Sequence, residues 1–449
     1  MPVVKLSIAN ESHFAFSQEQ FRQKRSYTDA RTNDDESSLL RLLPVTHTQL
    51  KLNEVPGRNT SWLIPNENVT FLSGNTEEYI LVNPDGTGYH RTVYDDPILL
   101  NRIQTQLEQD HEAIKPLTRA RLLFDYFTFA ENDYCKYSTA LSLATYLQRD
   151  KSLAVWTAFL DKFIDIYSKF LSHPDCDYAM LEYFLQSKID YRLEEIGKLS
   201  DISEELKLLR DKLLHLACRY TPFPSQNQQN RLMKKPYCLS LAQNLFQKWS
   251  DNPAGVSPLN SIFPETLRTE LECAIVAYGG KQAFDFLFEK FQNLTAKNES
   301  YFDTLKSLAC AREGDVIQVL LEKTLLPTSD GGFSVEDTWQ LIYYIIDIPF
   351  ANGRAQILPF LSKNFEQIID KIGDVYDRPI PQVLLSLADY FSTTEQRNEV
   401  EEFVELHQNK IFNGSDSNFA IKIKEAFEVI DTNIQWRKIY GQDILKSIL

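Results

Sequence analysis

A chain of 449 residues is long enough for two or more domains and a sizeable core. Its 62 acidic side chains against 47 basic ones leave a net charge of −15, with no excess of cations to neutralise phosphates, so nucleic acid is not an expected partner. The acids are spread along the chain, as on a solvated surface, and the 43% apolar and 24% charged content is that of a soluble globular protein.

The first residues, MPVVKLSIANESHF, lack the basic-then-apolar order of a signal peptide. Residues 3–21 hold two short alternating runs, VVKLSIA and HFAFSQEQF, that read as strands. From Arg22 to Ser38 the chain is polar and reads as a solvated, mobile loop. THTQLKLNEV and WLIPN then resume the β pattern. In Tyr79–Val82, Tyr79 and Leu81 would face one way and Ile80 and Val82 the other, as in a strand covered on one side. Pro84-Asp85-Gly86 is turn chemistry, and Tyr89, Arg91 and Val93 alternate after it, so a hairpin is expected. Asp95-Asp96-Pro97 is a helix start, with a carboxylate cap and proline at the first helical position.

From Pro97 onward the apolar spacing is helical. Leu99, Leu100, Ile103 and Leu107 make one face, and Leu122, Leu123, Tyr126, Phe127 and Ala130 make another. Ser334…Asp337 and Ser392…Glu395 have capping-box spacing ahead of apolar runs. Helical hairpins without a strict period suggest a HEAT- or armadillo-like α-solenoid. The richest apolar run, Leu341 to Ala351, is too short for a membrane span and contains Asp347, so no transmembrane segment is expected. The fold expected is mainly α, with a small antiparallel β-sandwich over 1–96 and a large helical domain over 97–449.

Several segments, in order, carry a family resemblance. LVNPDGTGYHRTVYD resembles the "VN…G(Y/F)YRVNYD" segment of aminopeptidase N-type zinc aminopeptidases, through Val82, Asn83, Gly88, Tyr89, Arg91, Tyr94 and Asp95. Pro2-Val3-Val4 and Ser17-Gln18-Glu19-Gln20-Phe21 are similar to the opening of that family's β-sandwich, and Trp62 and Pro65 to its "W-x-(I/V)-P" strand. Arg119 to Asp125 resembles its "R-A-Q-L-(I/L)-D-D" helix, YSTALSLATYLQRDKSLAVW a following segment with Asp150 where Glu is common, and NGRAQILPFLSKNF from Asn352 a late helix hairpin. The resemblance implies a β-sandwich plus helical lid, with Met1 falling where a catalytic domain would have just ended.

Six cysteines, Cys135, Cys176, Cys218, Cys238, Cys273 and Cys310, allow 15 pairings by spacing alone. The family, through the helix like Ala242–Trp249, implies Cys218–Cys238 and Cys273–Cys310 and leaves Cys135 and Cys176 unassigned; otherwise all six are buried thiols in a reducing compartment. Sequons at Asn10, Asn59, Asn68, Asn293, Asn298 and Asn413 are glycosylation candidates.

A zinc aminopeptidase needs H-E-x-x-H on one helix and the G-(A/G)-M-E-N segment of the family. The single His-Glu dipeptide, His111-Glu112, continues Ala-Ile-Lys115, and none of the seven histidines has a partner at i+4. Gly279-Gly280-Lys281-Gln282 lacks the Ser/Thr and upstream glycine of a P-loop, and no G-x-S-x-G occurs. No active site and no cofactor are expected in this chain; zinc belongs to the family's catalytic domain. By resemblance the chain caps an active-site cavity and helps to bind peptide, with Arg119, Arg121 and Arg354 as candidate contacts to a peptide carboxylate; the alternative is structural, with Arg119 and Arg121 in a helix and paired with Asp125 or nearby acids. Three readings follow. One is the C-terminal region of a zinc aminopeptidase, truncated or cleaved, acting with its catalytic half, as a homodimer in some family members, in the secretory lumen or outside the cell. A second is a free-standing, non-catalytic peptide- or protein-binding solenoid, cytoplasmic if the frame is complete; an unrelated cytosolic scaffold is the third.

Overall fold

The computed structural model describes residues 1–10, 13–22, 40–50, 57–72, 79–170, 176–219, 236–252, 265–294, 301–326, 334–348, 351–372, 380–411 and 417–448. The loop expected over Arg22 to Ser38 lies almost wholly outside them. Seven strands come before the helices: β1 (Pro2–Asn10), β2 (His13–Gln20), β3 (Leu43–Leu50), β4 (Arg58–Leu63), β5 (Val69–Leu72), β6 (Tyr79–Val82) and β7 (Arg91–Tyr94). Helices follow: α1 (Pro97–Asp110), α2 (Pro116–Glu131), α3 (Tyr137–Ser142), α4 (Leu153–Ser168), α5 (Cys176–Gly197), α6 (Glu204–Arg219), α7 (Tyr237–Asp251), α8 (Glu265–Gln292), α9 (Tyr301–Leu308), α10 (Gly314–Leu325), α11 (Val335–Asp347), α12 (Ala351–Lys363), α13 (Phe365–Ile372), α14 (Ile380–Ala388), α15 (Thr394–Ile411) and α16 (Ser417–Ile448). The fold is mainly α with a small N-terminal β region.

Backbone contacts divide the chain into two compact units. One comprises Met1–Ile164, Ser203–Leu209 and Tyr440–Leu449; the other comprises Asp165–Ile202 and Arg210–Ile439. In the first, the strands form a four-stranded sheet, β5-β2-β1-β7, and a three-stranded sheet, β4-β3-β6. Val3, Val4, Leu6, Phe14 and Phe16 of the larger sheet are buried, and the Phe16 ring lies 5.3 Å from that of His47 in the smaller one.

The expected hairpin is not formed. β6 pairs antiparallel with β3, whereas β7 pairs with β1, and in parallel. Eight residues separate the two strands, and they carry the chain from one sheet to the other instead of folding it back on itself. Local alternation announces a strand; its partner is set by burial far along the chain. Nor is β6 covered on one side only: all four of its residues are buried, because α1 packs against it.

Helix starts follow their local chemistry. Asp96 accepts the Ile98 amide at 2.8 Å, Pro97 opens α1, and Leu99, Ile103 and Leu107 are buried. Ser334 Oγ accepts the Asp337 amide at 3.1 Å and donates to the Asp337 carboxylate at 2.7 Å. At α15 the box sits one residue later than expected. Thr393 Oγ1 accepts the Gln396 amide, and Gln396 Oε1 accepts the amides of Thr393 and Ser392. Gln396 reaches back where Glu395 was expected to, since Thr393 supplies the hydroxyl next to the first helical residue.

In the second unit, neighbouring helices pack in sequence order: α7 on α8, α8 on α9, α9 on α11, α10 on α12, α11 on α14 and α12 on α15. This is compatible with a solenoid. Cys218 is bonded to Cys238 and Cys273 to Cys310, with Cα atoms 5.1 and 5.2 Å apart. Cys135 is a free thiol, and the Cys176 side chain lies outside the described residues. The second bridge closes a span of 37 residues. Replacing Cys273 and Cys310 with serine should lower unfolding stability by about 4 kcal/mol in non-reducing urea titration. An unchanged midpoint would mean that the bond is not formed in solution.

Candidate functional site

The densest polar network among the described residues surrounds the link from β6 to β7. Asn83, 2% exposed, leaves β6 in the left-handed region at φ 55°, a conformation that a short amide side chain tolerates. Its own amide donates to the Thr46 carbonyl at 2.7 Å, which ties the turn to β3. Its side chain then acts as extra backbone: Oδ1 accepts the Gly88 amide at 2.7 Å, and Nδ2 donates to the Gly88 carbonyl at 2.9 Å. Asp85 and Gly86 also have positive φ, 64° and 66°. Gly88 is required for room, since a Cβ there would sit 2.8 Å from His90 Nε2 and 3.1 Å from Asn83 Oδ1.

Helix α2 supplies the other half. Asp125, 2% exposed, accepts from Arg91 Nη1 at 2.9 Å, the Thr92 amide at 3.3 Å and Arg121 Nε at 3.3 Å. Burial pushes its carboxyl up, while the charges of Arg121 and Arg91 pull it back. The Arg91 guanidinium lies against the rings of Phe21 and Phe124, at 5.0 and 5.2 Å. Arg121 Nη2 also donates to the His90 carbonyl. Thr118 Oγ1 accepts the Asp85 amide at 3.0 Å, and Lys115 pairs with Asp85 at 3.1 Å. The Val82 amide donates to the Tyr94 hydroxyl, and the Tyr94 amide to the Tyr126 hydroxyl.

Six residues before Asp125 on α2, Arg119 is 4% exposed and holds Asp150, fully buried, through Nε at 2.7 Å and Nη2 at 3.0 Å. Nη1 donates to the carbonyls of His111 and Ile114. Asp150 in turn accepts the Ser152 amide, and its carbonyl accepts the Trp156 indole at 2.9 Å. Both partners are desolvated, and two backbone carbonyls on Arg119 and a backbone amide on Asp150 support the pair.

The three arginines singled out from the sequence thus have different surroundings. Arg119 is enclosed. Arg121 keeps about a quarter of its side chain exposed, beside Asp125. Arg354, on α12 in the other unit, is 2% exposed and donates to the carbonyls of Ile346 at 2.9 Å and Ile348 at 2.6 Å. It closes the C-terminal end of α11, and its guanidinium lies 3.9 Å from the Tyr390 ring centroid. Sequence reasoning offered Asp125 as a partner for Arg119 and Arg121, and it does accept from Arg121; it missed Asp150 as the acceptor for Arg119, although Asp150 stands in a matched segment.

His111 does not fit a metal. Its ring is buried and stacked on Tyr146 at 5.3 Å, with the Arg119 cation among its charged neighbours. Among the described residues no three His, Cys, Asp or Glu side chains converge on a possible cation site. At Gly280, φ 60° interrupts α8, and Lys281 is held by Asp285 at 2.8 Å. Of the sequons, Asn10, Asn59, Asn68 and Asn293 are exposed, and Asn298 and Asn413 lie outside the described residues.

Replacing Asp125 with alanine should cost about 3 kcal/mol in chemical unfolding, because Arg91 and Arg121 lose a buried partner. A loss under about 1 kcal/mol would show the carboxylate to be dispensable. His90 gives a pH signature. Burial lowers its folded-state pKa from 6.5 to about 4, so between those values the unfolded chain binds a proton that the folded one refuses. Stability should therefore fall as pH drops through that window, by up to about 3 kcal/mol, and His90→Gln should flatten that slope. An unchanged slope in the variant would contradict this.

The family model described as the ERAP1-like C-terminal domain matches residues 79–430. Human aminopeptidase N is 25% identical over 425 residues, 92% of this chain and 40% of that protein. Aminopeptidase N of Plutella xylostella is 25% identical, covering 92% of this chain and 41% of its own length. Aminopeptidase Q of Acinonyx jubatus is 24% identical, over 75% and 32%. The chain thus spans about two fifths of the length of the aminopeptidase N relatives it matches most fully. Since the family match takes in well over half of the residues, the chain belongs to the ERAP1-like C-terminal domain family.

Proposed function

We propose that this chain is the non-catalytic C-terminal region of a zinc aminopeptidase, capping the cavity in which a catalytic domain cleaves peptides and touching the peptide itself. The observation that carries the reading is the match to a C-terminal domain across only 40% of human aminopeptidase N, in a sequence without H-E-x-x-H. The working division is a β-sandwich over 1–96 and a helical, solenoid-like lid over 97–449. Of the three arginines, Arg121 is the proposed contact for a peptide carboxylate. Arg119 and Arg354 have their guanidinium groups turned to internal acceptors. Two disulfides and exposed sequons support a glycosylated chain in the secretory lumen or outside the cell.

Native protein captured with an antibody against the helical region should yield H-E-x-x-H peptides by mass spectrometry. It should also cleave aminoacyl-arylamides in a chelator-sensitive way. The purified 449-residue chain should do neither. Chelator-sensitive turnover by that chain alone would overturn the proposal. A 52.0 kDa native species with no such peptides would favour the free-standing peptide-binding module.

A further inference from the structure

The loop between α2 and α3, residues 132–136, is held from two sides by distant parts of the first unit. Asp133 bends it, with φ at 62°. On one side Tyr134 stacks on Phe21 at 5.5 Å, and its hydroxyl accepts the Arg22 amide at 3.0 Å. On the other side stand the final turns of α16, Tyr440–Leu449, which group with the strands and with α1 to α3. The Tyr440 hydroxyl donates to the Asp133 carboxylate, and its ring lies edge-on to that of Tyr137 at 5.3 Å. Asp443 accepts the Ser138 amide at 2.9 Å. Helix α3 has no cap of its own, since the Lys136 side chain makes no capping bond. An acid 305 residues away therefore supplies the acceptor that a helix start ordinarily takes from its own N-cap. Tyr440, Asp443 and Ile444 share one face of α16, and Ile444 is fully buried.

Cys135 lies within this loop. Its free, partly buried thiol donates to the Tyr126 carbonyl at 3.5 Å. Burial and the neighbouring Asp443 charge push it up to about 12, so almost none of the reactive thiolate is present while the joint is closed. We infer that the final turns of α16 are a latch over the α2–α3 loop, capping α3 and silencing Cys135 when closed, and freeing both when open. The latch is held by two carboxylates with their donors, one ring pair and one buried isoleucine. So small a set of groups opens before the core around it. Opening also slackens the loop from which Tyr134 grips Phe21 and Arg22, so its effect reaches the end of β2.

The test combines hydrogen exchange with iodoacetamide labelling of the full chain, read by peptide mass spectrometry so that Cys135 is followed apart from Cys176. Asp443→Ala and Tyr440→Phe should each speed exchange over residues 132–138 and labelling of Cys135, by about tenfold or more, with exchange in α8 and α9 unchanged. Asp443→Asn keeps an acceptor for the Ser138 amide and should restore protection of that peptide. Unchanged exchange and labelling in Asp443→Ala would overturn the inference. So would an equal loss of protection in both units, which marks general destabilisation in place of a latch. Should the variants not fold, the unsubstituted chain decides. Urea below its unfolding transition should speed Cys135 labelling before it speeds exchange in α8, and labelling that begins only with global unfolding would sink the latch.

Discussion

A carboxylate with almost no water around it has to be met by cations and amides, and Asp125 meets this demand with groups from two parts of the chain. Arg91 and the Thr92 amide come from β7, and Arg121 from its own helix. Leaving the charge unmatched would cost several kcal/mol, so α2 and β7 are held in one register. Much of the rest follows from that register. The Tyr126 hydroxyl reaches the Tyr94 amide, the Tyr94 hydroxyl reaches Val82, and Asn83 can close the turn only because Gly88 leaves space for the His90 ring. The link between the two sheets is thereby fixed from the helix side.

What could be read from the residues alone divides along the range of the interaction. Caps are local, and Asp96, Pro97 and Ser334 could be assigned on sight. Even there the box at α15 moved by one residue, because Thr393 and Gln396 compete for the role with Ser392 and Glu395 over the same few atoms. Strands were visible from alternation, but their partners were not. β6 and β7 look like two arms of a hairpin until Ile80 and Val82, with neighbours in β3, and Thr92 and Tyr94, with neighbours in β1, are each drawn into a different sheet.

Side-chain roles were the least legible. An arginine on a helix looks the same in sequence whether it reaches a ligand or an internal carbonyl. What separates Arg119 and Arg354 from Arg121 is burial, and burial depends on the whole fold. Arg354 could have been suspected from its place shortly after the end of α11, six positions after Ile348, whose carbonyl it reaches. Asp150 and Trp156 were visible as a matched segment, yet their joint work, one carboxylate holding Arg119 while the same residue's carbonyl holds the indole, needed coordinates.

The two compact units carry different stabilising chemistry. The first relies on buried ion pairs and side-chain-to-backbone bonds around Asp125 and Asp150; the second carries both disulfides and long runs of helix against helix. Buried polar networks are weak sources of net stability but strict about geometry, because every member needs its partner. Disulfides act mainly by restricting the unfolded chain. Strict hydrogen-bond geometry lies at the link between the sheets, and covalent staples lie among the helices.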